Sequence, residues 1–135
     1  MISVAAHELA QASHFSNVGS WYWSQYINYI ITYGSYGDAT KKNAGICGVG
    51  EMWGYYVGGL LATEQYGGDR FTGRDYWFRP FILRRLVDNT GLTQKQIFDC
   101  LTSDIRSHEQ FKNRLISRYG NKREQIEEAF SVWGF

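Results

Sequence analysis

The glycine-rich segment 48–65, GVGEMWGYYVGGLLATEQ, constrains the fold of this 135-residue chain more than any other feature. Its length and apolar content predict a buried helix despite its five glycines. Each glycine inside a helix costs about 1 kcal/mol relative to alanine. A helix with this many glycines is typical of close backbone packing or of room left for a neighbour. We therefore expect another part of the chain to lie directly against it.

The rest of the chain also favours helices. Residues 2–15 are rich in Ala and Leu, and Gly19 follows them as a stop signal. The aromatic and β-branched stretch 21–33 is compatible with a strand, but its length favours a second helix. Turn and capping signals predict later helices over residues 79–90, 92–101, 107–120 and 121–135. The sequence therefore predicts a mainly α fold.

Composition divides the chain into two parts. Residues 1–76 are rich in glycine and aromatic residues, and residues 77–135 are charged and amphipathic. We expect two lobes packed into one compact unit. The chain opens directly on MISVAAHELAQ, so we also expect it to be the C-terminal part of a longer protein. Exposed aromatic residues on such a lobe would favour self-association.

Charge and composition argue against several classes of function. The net charge is +1 and the basic residues are scattered, which does not favour nucleic-acid binding. No run of about 18 apolar residues predicts a membrane span. The two cysteines, Cys47 and Cys100, form no CxxC motif and no disulfide framework, although they could pair with each other. The 23 aromatic residues fit either an ordinary core or a ligand-stacking cleft.

The stretch SVAAHELAQASHF, residues 3–15, carries the strongest chemical signal. On a helix, His7 and Gln11 share one face because they are four residues apart, and Glu8 lies one step round from His7. In the zinc-hydrolase motif H-E-x-x-H, two histidines at this spacing bind the metal, and the glutamate activates a water molecule. His14 cannot join His7 on one ion, because seven residues of helix separate them by about 10.5 Å.

A second signal is Glu51, within GVGEMWGYYVG. It is the only charged residue between Lys42 and Glu64. A lone carboxylate in a buried helix is costly unless it is paired or bound to a metal. Glu51 is therefore the second half of a candidate site with His7 and Glu8.

Together, HELAQASH and GEMWGYY resemble the catalytic-helix half of the gluzincin class, the thermolysin-like zinc metallopeptidases, over roughly residues 4–60. The resemblance implies zinc as cofactor, His7 as first ligand, Glu51 as third ligand and Glu8 as general base. It implies a zincin-like helical catalytic lobe followed by a small helical C-terminal lobe. It also implies a peptide or protein substrate. Since many bacterial members of the class are secreted, it favours a secreted or extracytoplasmic location.

The chain departs from this class at three points. Gln11 stands at the second ligand position, and its neutral amide oxygen is a weak zinc ligand. Tyr55 stands where the class often has an acidic residue, four positions after the ligand glutamate. The upstream sheet that aligns the peptide substrate is not in this sequence. These departures make an inactive homologue a direct alternative to a working peptidase.

Several other residues have two interpretations. Cleft or oxyanion roles are assigned to His14, Tyr55 and Tyr33, although a tyrosine here also fits the core and His14 also fits a polar helix end. His108 is predicted to lie on the surface. The charges of DRFTGRD are predicted to form local loop pairs, with a grip by Arg70 or Arg74 on a peptide carboxylate as the alternative.

Three hypotheses follow from these residues. The first is a zinc-dependent peptidase, in which His7, Glu8 and Glu51 converge. The second is a degenerate peptidase fold that holds a peptide or glycan in an aromatic cleft without cleaving it. The third is a structural domain in which His7 and Glu51 pair inside a closed core.

Overall fold

The computed structural model describes the backbone of residues 2–135 and the side chains of residues 5–135. This part of the chain is mainly helical and contains no strand, so the predicted mainly α fold is confirmed. The helices are α1 (Ile2–Tyr33), α2 (Ala44–Tyr66), α3 (Phe81–Thr90), α4 (Gln94–Phe98), α5 (His108–Arg118) and α6 (Arg123–Ser131), with a 3-10 turn, Gly120–Lys122, before α6. Among the described helices, none has the length and apolar character needed to cross a membrane.

Helix α1 has two arms that meet at a kink. Gly19 lies at the kink, with φ 83° and ψ 175°. A positive φ of this size is open to glycine and strained for other residues. The sequence predicts two helices, 2–15 and 21–33, separated by a stop at Gly19, and these correspond to the two arms. The kink is what allows both arms to reach the same neighbouring helix.

Three glycines of α2, spaced four residues apart, face α1. A Cβ atom at Gly58 would lie 3.1 Å from the backbone N and Cα of His7, and one at Gly54 would lie 2.8 Å from its ring. A Cβ atom at Gly50 would lie 3.0 Å from the ring of Tyr26, on the second arm. The glycines therefore let the backbone of the first arm and the Tyr26 ring of the second arm approach α2 closely, as the sequence of α2 predicts.

A continuous hydrophobic core joins the front and back parts of the chain. It includes Ala10 of α1, Met52 of α2, Leu86 of α3, Phe111 of α5 and Phe130 of α6. A second, smaller cluster lies between the second arm of α1 and the start of α2; its buried members are Val18, Tyr22, Tyr26, Tyr29, Ala44, Ile46 and Cys47. The candidate site lies where α1 and α2 pack, next to both clusters.

The predicted surface position of His108 is wrong. His108 is buried at the start of α5, and its Nε2 atom lies 2.5 Å from the carbonyl oxygen of Phe78. Its ring stacks on Phe135 with centroids 4.9 Å apart. Burial lowers its pKa to about 4. The N-cap pattern at Ser107 predicts the helix start correctly, but it carries no information on which face of α5 packs inward.

Candidate functional site

The packing of α1 on α2 brings His7, Gln11 and Glu51 together. The Nε2 atom of His7 lies 3.1 Å from Oε2 of Glu51. The Nε2 atom of Gln11 donates a hydrogen bond of 2.7 Å to Oε1 of the same carboxylate. His7 and Gln11 project from successive turns of α1 because they are four residues apart. The convergence that the peptidase hypothesis requires of His7 and Glu51 is therefore present.

A residue that the sequence analysis did not assign to the site, Tyr26, completes the environment of Glu51. Its hydroxyl donates a hydrogen bond to Oε1 of Glu51. Burial, and then the adjacent Glu51 carboxylate, raise the pKa of Tyr26 far above its ordinary value, so the hydroxyl keeps its proton. Tyr26 reaches the site because the kink at Gly19 turns the second arm of α1 back along α2. The HELAQ and GEMWG motifs contain no signal for this contact.

The three contacts explain how a carboxylate is tolerated inside the molecule. The side chain of Glu51 is only 1% exposed, and burial of an unpaired carboxylate is strongly unfavourable. Gln11 and Tyr26 supply hydrogen bonds to Oε1, whereas Oε2 lies 3.1 Å from Nε2 of His7 and has no hydrogen-bond partner among the described residues. Since a carboxylate only accepts hydrogen bonds, the amide of Gln11 must present its N–H group to it. Glu51 is thus held by donors on both arms of α1.

The side chains around Glu51 provide only some of the ligand atoms that a zinc ion requires. Two tetrahedral ligand atoms at 2.0–2.1 Å from zinc lie about 3.3 Å apart, close to the separation between His7 and Glu51. Gln11, however, presents an N–H group where a second strong ligand is required. Within residues 5–135, no group of three or more His, Cys, Asp or Glu side chains is placed to hold a metal. The side chains present therefore do not fit a three-ligand zinc centre.

A cavity of about 220 Å³ opens beside the His7–Glu51 pair. Its wall includes His7, which is 14% exposed, and the exposed Glu8. The remaining lining residues are Tyr36, Tyr55, Gly58, Gly59, Arg70 and Thr72. This cavity places Glu8 and His7 where a ligand can reach them, and its wall also carries the guanidinium group of Arg70.

A second cavity, of about 340 Å³, lies next to the first. Tyr36 and Tyr55 line both cavities, so the two form one continuous surface, which we call the aromatic groove. The second cavity is lined by Ser35, Tyr36, Gly37, Tyr55, Tyr76, Trp77 and Phe78. Within it, the rings of Tyr55 and Phe78 stack at 5.7 Å. The groove runs from the polar wall at His7 and Glu8 to an aromatic end.

Two of the three residues assigned to a cleft or oxyanion role lie away from the groove. Tyr55 lines it, and its ring meets that of His7 edge-on at 4.5 Å. Tyr33 lies near the end of α1, where it packs on Tyr29 at 4.9 Å and lines a separate cavity. Tyr33 therefore borders a different cavity from the one that His7 lines.

The interpretations of His14 as a polar helix end or a cleft residue are both wrong. His14 is fully buried and lies within the first arm of α1, because this arm continues to Gly19. Neither ring nitrogen has a hydrogen-bond partner among the described residues. The ring meets Tyr22 edge-on at 5.3 Å. Burial lowers the pKa of His14 to about 4, so the ring is neutral near pH 7.

The charged loop DRFTGRD forms fewer local pairs than the sequence predicts. Asp69 pairs with Arg84 of α3, with 3.0 Å between Oδ2 and Nη1. The guanidinium of Arg74 lies 4.6 Å above the ring of Phe81. Arg70 lies at the wall of the cavity that His7 and Glu8 also line. The loop therefore connects to α3 and to the site instead of pairing with itself.

Both cysteines are buried and unpaired with each other. Cys47 lies in α2 and Cys100 follows α4. Burial, and then the Glu51 carboxylate, raise the pKa of Cys47 to about 12. Its thiol therefore stays protonated and behaves as a small apolar group of the second cluster.

Comparisons of the chain with protein-family models, with curated proteins and with solved structures gave no significant match.

Proposed function

We propose that this chain is a zinc-metallopeptidase-like domain that binds a peptide in the aromatic groove without hydrolysing it. The observation that carries the proposal is the hydrogen bond from Gln11 to Glu51. The resemblance to the gluzincin class implies a metal ligand at position 11. In this chain the side-chain amide of Gln11 stands there, and its N–H group donates instead to Glu51, the residue at the third ligand position. Glu51 is stabilised as a hydrogen-bonded carboxylate, with His7 beside it.

The chemistry of the groove supports a peptide as the ligand. Glu8 offers a carboxylate to peptide N–H groups, and Arg70 offers a cation to carbonyl or carboxylate oxygens. Tyr55 and Trp77 offer apolar surface for a side chain. Polar groups at one end and aromatic rings at the other are typical of a specific ligand cleft.

The same cavity weighs against a purely structural role for the pair. The structural hypothesis predicts a closed core around the pair, whereas His7 is partly exposed and borders the cavity with Glu8. A glycan would also stack on the aromatic groove. We favour a peptide because the polar wall carries one acidic and one basic group.

Zinc-dependent peptide hydrolysis, with Glu8 as general base, is the second candidate. The spacing of His7 and Glu51, which approaches that of two zinc ligands, favours it. Glu8 follows His7 in the chain and borders the same cavity. This candidate requires Gln11 to release Glu51 and to turn its amide oxygen toward the metal.

A pool of acetylated tetrapeptides with phenylalanine at the third position separates the two candidates. Binding is followed by NMR in the presence of EDTA, and cleavage is followed by mass spectrometry in parallel samples without EDTA, with and without added zinc. We expect saturable shifts of Gly58 and Gly59 and no cleavage, with or without added zinc. The variant Tyr55→Ala should weaken binding at least tenfold, whereas Trp21→Ala, at a largely exposed position outside the groove, should not.

Two results would contradict the proposal. Cleavage that needs zinc and is lost in Glu8→Gln would establish the peptidase. Absence of binding from the whole pool, with the protein folded, would remove the peptide-binding role altogether.

A further inference from the structure

Arg70 is held in place by contacts that leave part of its guanidinium group available. Its backbone N–H donates to Oγ1 of Thr63 across 3.0 Å. Its Nε–H donates to the carbonyl oxygen of Gly67 across 2.9 Å. The guanidinium carbon lies 5.4 Å from the centre of the Tyr66 ring. These contacts tie the exposed side chain to the C-terminal end of α2.

The charge of Arg70 has no carboxylate partner within residues 5–135. Its neighbour in the chain, Asp69, pairs with Arg84 instead. No hydrogen bond or ion pair involves either Nη nitrogen of Arg70 among these residues, whereas Nε is already engaged. A guanidinium group remains charged at all relevant pH values and presents its two Nη groups as a fork. The two oxygens of a carboxylate match such a fork.

The cavity that Arg70 borders constrains the ligand further. Glu8 borders the same cavity, so a ligand that carried only negative charge would meet an opposing carboxylate. A ligand that offers an N–H group to Glu8 and a carboxylate to Arg70 satisfies both. A peptide offers both groups at its C-terminal residue, and a peptide with an acidic side chain offers them within one residue.

From this arrangement we infer that Arg70 anchors a carboxylate of the bound peptide, which makes the site selective for peptides that carry a negative charge at this point. The inference rests on the proposed peptide-binding function and adds the class of ligand to it. Arg70 is a binding residue of the groove, and its charge sets the selectivity.

Three pools of acetylated tetrapeptides with phenylalanine at the third position test the inference. The first ends in a free carboxylate, the second in a neutral carboxamide, and the third in a carboxamide with glutamate as the last residue. Hydrogen bonds to a charged group contribute about 1.5–3 kcal/mol, which is tenfold or more in affinity. We expect the first or the third pool to bind at least tenfold more tightly than the second. Whichever of the two binds more tightly identifies the source of the carboxylate.

The variant Arg70→Gln should reduce this difference to about twofold or less, with the affinity for the neutral pool retained. Arg74→Gln is the matched control, because Arg74 belongs to the same loop but stacks on Phe81. It should leave the preference unchanged. Thermal melts of both variants report whether the fold is intact.

Three outcomes would overturn the inference, and they differ in what they say about the proposed function. Equal binding of the charged and neutral pools would refute the role of Arg70 while peptide binding stands. A preference for charge that survives Arg70→Gln would place the carboxylate elsewhere. Failure of all three pools to bind would refute the proposed function and this inference with it.

Discussion

The side-chain amide of Gln11 donates a hydrogen bond to the buried carboxylate of Glu51, from the first helix to the second, across 2.7 Å. This contact distinguishes the chain from the metallopeptidases that its motifs resemble. A neutral imidazole at position 11 could turn its unprotonated nitrogen toward a metal, because either ring nitrogen can carry the proton. The glutamine stabilises Glu51 without a cation, and the predictions below follow from that arrangement.

The hydroxyl of Tyr26 should stabilise the buried carboxylate measurably. We expect Tyr26→Phe to lower the free energy of unfolding by about 1–3 kcal/mol, because Glu51 then loses one of its donors inside the molecule. Urea unfolding at neutral pH measures this change. Tyr66→Phe, at an exposed position, should change the stability by less than about 0.5 kcal/mol.

A double-mutant cycle with Glu51→Gln attributes the effect of Tyr26→Phe to this contact. We expect a coupling energy of about 1 kcal/mol or more, because residues in one hydrogen-bond network are not additive. Strictly additive losses would mean that Tyr26 acts through packing alone.

Gly54 should be required for the position of His7. A methyl group at this position would lie 2.8 Å from Cε1 and 3.0 Å from Nε2 of His7. Gly54→Ala should therefore destabilise the fold by about 1–3 kcal/mol, although alanine normally favours a helix over glycine. It should also shift the imidazole NMR signals of His7, since the ring must leave Glu51.

The control for Gly54→Ala is Gly120→Ala, because a methyl group there meets no other atom within 4 Å. Its stability should stay within about 0.5 kcal/mol of the wild type. A stabilising effect of Gly54→Ala would show that the two helices are farther apart at His7 than the structure has them.

His14 should make the protein less stable as the pH falls from about 6.5 to 4. Burial lowers its folded-state pKa to about 4, whereas the unfolded chain takes up the proton near pH 6.5. In this window the unfolded state binds more protons, so the unfolding free energy decreases with decreasing pH. The loss attributable to His14 is about 3 kcal/mol, and His108 acts in the same direction.

The variant His14→Phe tests this assignment. It keeps the ring shape, removes two nitrogens without partners, and should raise stability at pH 7 by about 1 kcal/mol. Urea unfolding at several pH values between 4 and 7 measures how the unfolding free energy changes with pH. In His14→Phe this change should be roughly half that of the wild type, and His108 accounts for the remainder. An unchanged slope would mean that His14 does not take part in the acid sensitivity.

The sequence predicts the helices and the pairing of the two motifs because both depend on local patterns. The glycines of 48–65 indicate close packing, and Gly50, Gly54 and Gly58 indeed face α1. Glu51 stands out because a single charge in an apolar helix must find a partner. The spacing of His7 and Gln11 follows from helical periodicity.

The missed contacts depend on the angle at which the chain turns. Tyr26 reaches Glu51 only because Gly19 redirects the second arm of α1, and no local pattern gives the size of that turn. His14 is buried, and not at a helix end, because the first arm runs on to Gly19. The sequence offers Arg70 only as an alternative to local loop pairs, and the structure places it at the cavity wall while its neighbour Asp69 pairs with Arg84 of α3.

The most direct test of the account is a zinc titration of the wild-type chain beside Gln11→His, by calorimetry on metal-free protein at neutral pH. The account predicts that wild type binds zinc weakly or not at all and that Gln11→His binds one equivalent at least a hundredfold more tightly. Such a gain would mean that His7 and Glu51 keep the placement of metal ligands while Gln11 holds the site in its metal-free form. Tight binding of one zinc by wild type, unchanged by Gln11→His, would contradict the account and make the peptidase the better description.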